Sequence, residues 1–389
     1  MWSKIKITGM IKNIGKVVLL LLIIILSVAA CKKDKKKVDN TLEFPIETQN
    51  LLNAVIDQKQ MDYEVPGIIA GAWVPGRGIW INTTGKSDLV TGVNIQEYEK
   101  VRIADITKTF TATIILQLVD EGVISLDDFL DQIITTNVPN ADKITIKHLC
   151  NMTSGLFNYS DDSAFVATLA NDPLKKWDPQ ELINIAVSHP AYSAPGLEWH
   201  YSNTNYIVLG LVVEQIIGVS LENVIDERIF EPFKFTSSSF PLFPNFTGEY
   251  SHGYLPLGPD SLLEDFTLFD PSSTWAAGGI VSNLFDLHDW SKILATGALL
   301  TDSIQSLRMD WKDANSLTDP YLFYGLGLMN EGNFIGYYGE IPGYEASMFY
   351  LFSEDASIVV LTNRTSDHNV SLEVFRELAA VLFPKEVVW

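Results

Sequence analysis

The sequence predicts an α+β fold: an antiparallel sheet flanked by helices, with a helical subdomain inserted between its strands. Three observations carry that expectation. Residues 66–92 alternate short β-rich runs with turn glycines and read as a hairpin. Residues 322–364 return to aromatic and β-branched runs broken by glycine-containing turns. Between them, residues 101–235 follow mostly helical spacing, which places the insertion at roughly 110–275, and helical spacing returns from Asn369 to Leu382. Strands at both ends around a helical middle imply one sheet completed by distant parts of the chain.

The chain starts with a segment of different character. Lys4, Lys6, Lys12 and Lys16 precede an unbroken low-polarity run from Val17 to Ala30, too short to span a bilayer comfortably. This is the pattern of a secretory signal peptide over residues 1–30. Val28, Ala29, Ala30 and Cys31 look like a lipobox, in which the Cys31 thiol is diacylated and becomes the new N-terminus. Lipid chains on one residue give stable anchoring, so the mature chain is expected on a bacterial cell-envelope membrane, periplasmic or surface-facing, tethered and not spanning. Residues 31–41 then form a charged tether, and residues 42–389 the folded part.

Of the 389 residues, 47% are apolar and 11% aromatic, enough for a sizeable core. Beyond residue 40 the chain carries 18 basic and 46 acidic residues. A surface that negative repels nucleic acid and excludes that partner class. Cys150 lies in an apolar stretch, and with Cys31 lipidated it has no disulfide partner, so inert packing is expected of it.

The centre of the sequence is VRIADITKTFTATIILQLVDEG, residues 101–122. Ile106, Phe110, Ile114 and Leu118 recur every four residues, which predicts an amphipathic helix from about Asp105 to Gly122. Asp105 and Lys108 then share a face, one turn apart. Asp is also a favoured N-cap, so the pair reads equally as a cap and an ion pair that stabilise the helix. No His, Cys, Asp or Glu grouping has metal-ligand spacing and no glycine-rich phosphate loop follows a strand, so no metal or cofactor is expected.

Several motifs in a fixed order resemble one family. PGIIAGAWVPGRGIW looks like an opening hairpin, the Asp105–Lys108 helix like a nucleophile helix, and ITIKHLCNMTSGL like the loop that follows. Tyr201, Ser202 and Asn203 carry a second signature, and AAGGIVSNLFDLHDW and IPGYEAS complete the series. Over roughly residues 50–385 the chain resembles the class C β-lactamase and D-alanyl-D-alanine carboxypeptidase family of penicillin-binding-protein-like serine hydrolases.

That resemblance implies a β-lactamase/transpeptidase-like fold and a cleft for a peptide-like or peptidoglycan-derived ligand. It implies that Lys108, Tyr201 and Asn203 hold catalytic positions, with Tyr337, Tyr338 and Gly339 in the third, substrate-binding motif. The backbone N–H groups of Asp105 and Glu340 would form the oxyanion hole. Two positions depart from the pattern: Asp105 stands where the attacking serine should be, and Tyr337 where the family usually has His or Lys. Thr107, Ser154 and Ser202 are the conceivable substitute nucleophiles, and His148 reads as a packed residue. Three functions follow as expectations: a catalytically impaired ligand-binding lipoprotein, an active hydrolase using Asp105, Lys108 and Tyr201, or a docking lipoprotein without catalysis.

Overall fold

β1 (Gly67–Val74) and β2 (Gly78–Gly85) form the hairpin read at residues 66–92, joined by a tight turn with Gly76 in the left-handed region. The structure is a computed structural model and describes residues 42–257, 262–314 and 321–389. The expected signal peptide, the Cys31 lipidation site and the tether lie outside the described residues.

Six further strands complete the main sheet: β3 (Lys312–Asp313), β4 (Leu322–Tyr324), β5 (Met329–Glu331), β6 (Phe334–Ile341), β7 (Tyr344–Leu351) and β8 (Ala356–Thr362). Every pairing is antiparallel and the order is β2-β1-β8-β7-β6-β5-β4-β3. The first strands therefore join the last one, with Ile68 opposite Thr362 and Trp73 opposite Ser357.

Period-two alternation gives the sheet two buried faces. In β1, Ile68, Ala70 and Ala72 pack toward α1 (Ile46–Asp62) and the C-terminal helix Val370–Leu382, together with Phe349 and Phe375. Ile69 and Trp73 point the other way, toward the helical region and the helix Leu284–Thr296. Helices thus cover both faces of the sheet.

The helical region runs between a two-residue strand at Val101–Arg102 and its partner at Val281–Ser282, and also carries a small hairpin, Tyr254–Leu257 with Leu262–Asp265. Its central helix is α2 (Thr107–Asp120). The expected amphipathic face is present, but the helix is buried on all sides, so the threonine face is internal as well. Its hydroxyls make this possible by bonding carbonyls: Thr109 to Ile106, Thr113 to Thr109 and Thr111 to Ala276. Among the described residues no single helix is long and apolar enough to cross a membrane.

Candidate active site

Asp105 lies in a short 3₁₀ turn, Ala104–Ile106, directly before α2. It does not cap the helix: no side-chain cap bond is made at either start, and the carboxylate instead accepts from Lys108 Nζ. Ala104, fully buried, holds φ at +50°. A non-glycine residue in that region costs about 1 kcal/mol, which fixes the turn that presents Asp105.

Lys108 is completely buried, and its ammonium also donates to the carbonyl of Ala277 at 3.0 Å. Burial lowers its pKa from the ordinary lysine value, with the Asp105 carboxylate opposing that effect. The Asp105 side chain is 15% exposed, so the pair has one buried and one cleft-facing member. Strand β6 runs against it. A Cβ on Gly339 would fall 2.3 Å from the Asp105 Cβ, so only glycine admits this approach.

Tyr201 and Asn203 enter from the loop before α3 (Thr204–Ile217). The Tyr201 hydroxyl donates to Asn203 Oδ1 at 3.1 Å, and Lys108 Nζ lies 5.2 Å from the Tyr201 ring centre. Asn203 is held in place, its Nδ2 donating to Ser160 Oγ and its backbone N–H to Asn158 Oδ1. Burial and then the Asp105 carboxylate raise the Tyr201 pKa well above the ordinary phenol value. The phenol is thus a proton donor at neutral pH and a poor base.

Asp105, Tyr201, Asn203, Tyr338, Gly339 and Glu340 all line one cleft of about 880 Å³. Tyr337, expected there, does not: it is fully buried beneath the centre, its hydroxyl 2.8 Å from that of Tyr324. Tyr324 in turn meets Tyr206, which donates to the Cys150 carbonyl. This tyrosine chain fills the place of the expected His or Lys with neutral hydroxyls, and burial raises the pKa of all three phenols well above the ordinary value. The three substitute nucleophiles are also buried and occupied: Thr107 Oγ1 accepts from the Ile280 N–H, Ser154 donates to Asn205 and Ser202 to the Phe157 carbonyl. His148 is half-buried and accepts from the Thr145 N–H, while burial pushes the Cys150 thiol up to about 12.

Sequence reasoning missed two contributors. Tyr159 lines a cavity together with Asp105 and donates to the Ser273 carbonyl. Glu345, opposite Glu340 in the β6–β7 ladder, is fully buried and accepts from the N–H and Oγ of Ser366 and from the Ser371 N–H. It pins the segment that brings Asp367, His368 and Asn369 to the cleft wall. Tyr159 gave no signal beyond an aromatic in a loop, but the strand pairing of Glu345 with Glu340 was readable once the hairpin register was known.

Glu340 is exposed at the cleft wall, and partial desolvation, followed by Glu345, Asp105 and Asp367, pushes its carboxyl up to about 7. Between the ordinary value of 4.5 and about 7 the folded chain binds more protons here than the unfolded one, so stability falls as pH rises through that window. Glu340→Gln is expected to remove this loss and to exceed wild type by about 1 kcal/mol at high pH, a figure discounted for exposure. Urea unfolding at pH 5 and pH 8 checks it; the same difference at both would contradict the assignment.

The family model for Beta-lactamase matches residues 52–382. "Protein flp" of Staphylococcus aureus (strain MRSA252) is 25% identical over 335 residues, covering 80% of this chain and 64% of that protein, so the chain spans under two thirds of this relative's length. The crystal structure of a D-stereospecific amidohydrolase from Streptomyces sp. superposes with a TM-score of 0.76 at 29% identity, covering 87% of this chain and 98% of that one. D-amino acid amidase from Ochrobactrum anthropi SV3, complexed with D-phenylalanine, gives 0.77 at 22% identity over 86% and 98% of the two chains, a likeness of fold.

Proposed function

The chain belongs to the beta-lactamase family, and from that premise we propose that it is a cell-envelope lipoprotein whose cleft binds a peptide-like ligand, such as a peptidoglycan fragment, with serine acylation lost or nearly so. One observation carries this reading. A carboxylate bound by Lys108 stands just before α2, where the resemblance expects the family's serine, while Tyr201 and Asn203 line the cleft. Burial, and after it the Asp105 carboxylate, holds Tyr201 in its protonated form. Attack by the carboxylate would form a mixed anhydride, and the cleft's serine hydroxyl, Ser160, is engaged by the Asn203 amide.

Support for the ligand class comes from the cleft itself, which offers amide-complementary groups at Asn203 and along the edge of β6. The D-amino acid amidase neighbour, whose structure contains D-phenylalanine, has the same fold. The lipobox-like run ending at Cys31 supports the envelope location.

Isothermal titration of the detergent-solubilised full chain with D-alanyl-D-alanine and a muropeptide tests the proposal. Binding is expected at or below millimolar Kd, weakened about tenfold in Asn203→Ala, as for a lost buried hydrogen bond. No heat at millimolar ligand sinks it. A second reading, an active hydrolase in which Asp105 activates a water with Lys108 and Tyr201 handling protons, is favoured by the exposure of Asp105 to the cleft. Turnover in the same samples that vanishes in Asp105→Asn would select it.

A further inference from the structure

Behind Asp105 a second cavity of about 300 Å³ opens, and Asp105, Ser160, Asn203 and Glu340 line both it and the main cleft. Its walls are of another kind. Phe165 and Leu169 come from the helix Ser163–Asn171, Leu255 and Phe266 from the small hairpin and its exit, and Ile341 from the end of β6. Asp105, Ser160, Asn203 and Glu340 mark where it meets the cleft, and apart from Tyr159, Ser273 and Thr274 the remaining walls are apolar.

We propose that this cavity is a side-chain pocket of the cleft, taking a bulky apolar side chain, aromatic or branched, from the residue of a peptide-like ligand that lies across Asp105. The inference rests on the ligand-binding reading above and narrows it to one class of ligand. Three points carry it. An apolar engineered cavity of roughly 150 Å³ already holds benzene, so this volume accommodates a phenyl or isobutyl group, and a methyl group would leave most of it empty. A charged side chain pushed past Asp105 and Glu340 would be desolvated against Phe165, Leu169, Leu255, Phe266 and Ile341, none of which can pair with it. At the mouth, Asp105 is an acceptor-only group placed to receive a ligand N–H, with the Asn203 side chain beside it. A ligand with an amide at the junction and an apolar group behind it satisfies both environments at once.

The test is titration of the solubilised full chain with D-phenylalanine amide, D-leucine amide and D-alanine amide, alongside D-alanyl-D-alanine. The two bulky amides are expected to bind at least about tenfold tighter than D-alanine amide. Filling the pocket with Leu169→Phe, or from its rim with Val166→Trp, should reduce that ratio to below about threefold. Val166 is 52% exposed, so its replacement leaves the core intact even if Leu169→Phe disturbs folding. Binding of all three amides with no preference overturns the pocket and leaves the ligand-binding reading standing. So does a preference that survives both variants. If neither the amides nor D-alanyl-D-alanine bind, the ligand-binding reading falls and the pocket with it.

Discussion

Asp105→Ser is expected to form a covalent adduct with a β-lactam where the wild-type chain forms none. The substitution replaces a carboxylate by a hydroxyl in a turn already fixed by Ala104, beside a buried Lys108 whose ammonium keeps the Ala277 carbonyl as a partner. It also removes the negative charge that, after burial, raises the Tyr201 pKa and that opposes the lowering of the Lys108 pKa, so both groups give up their protons more readily. Gly339 still allows β6 to lie against the new hydroxyl. Removing a serine nucleophile from a serine hydrolase costs on the order of 10⁶ in rate, so a gain of 10³-fold or more is about what partial recovery would give. Intact-mass spectrometry after incubation with a penicillin reads the result directly. A folded Asp105→Ser chain that stays unmodified would overturn the reading of residue 105 as the missing nucleophile.

The second large effect is on stability. Asp105→Ala leaves a fully buried ammonium with only the Ala277 carbonyl, and breaking a buried ion pair from one side costs about 3 kcal/mol. In that variant the folded Lys108 pKa drops further below the unfolded value of 10.5. The unfolded state then holds a proton that the folded state sheds, so the variant gains stability as pH rises toward 10.5. Adding Lys108→Met removes the stranded charge and should return the double variant to within about 1 kcal/mol of wild type. Urea unfolding of the three chains at pH 7 and pH 9.5 measures all of this. A single variant no less stable than wild type, or a double variant no better than the single, would mean that the pair contributes nothing to the fold.

The sequence made the framework readable because its signals are local. The turn glycines of β1 and β2, the aromatic strands from residue 322 and the spacing after Asn369 each report on neighbours in the chain. The order of motifs also brought Asp105, Lys108, Tyr201 and Asn203 into one place, and the structure puts them there together. What stayed hidden depends on distant partners. Asp105 has the composition of a cap, but the left-handed Ala104 turns it toward Lys108 and away from the helix N–H groups. Tyr337 and Tyr338 are adjacent in a strand, so they face opposite sides, and only Tyr338 reaches the cleft. The spacing of Ile106, Phe110, Ile114 and Leu118 reads as one apolar face of α2, because nothing local shows that Ala276 and Trp290 wait opposite its threonines. The apolar pocket joins residue 165 to residue 341 across a hairpin whose strands gave no strong pattern.

The pairing of β1 with β8 has a consequence for how the molecule is made. Ile68 meets Thr362 across almost three hundred residues, so the middle of the sheet cannot close until nearly the whole polypeptide has left the ribosome. Until then the β1–β2 hairpin has no partner on its open edge, and two strands alone are marginal in water. The same pairing makes the last thirty or so residues indispensable: a ribosome that stops short of β8 releases a hairpin with a bare edge and a sheet in two pieces, a form that invites aggregation.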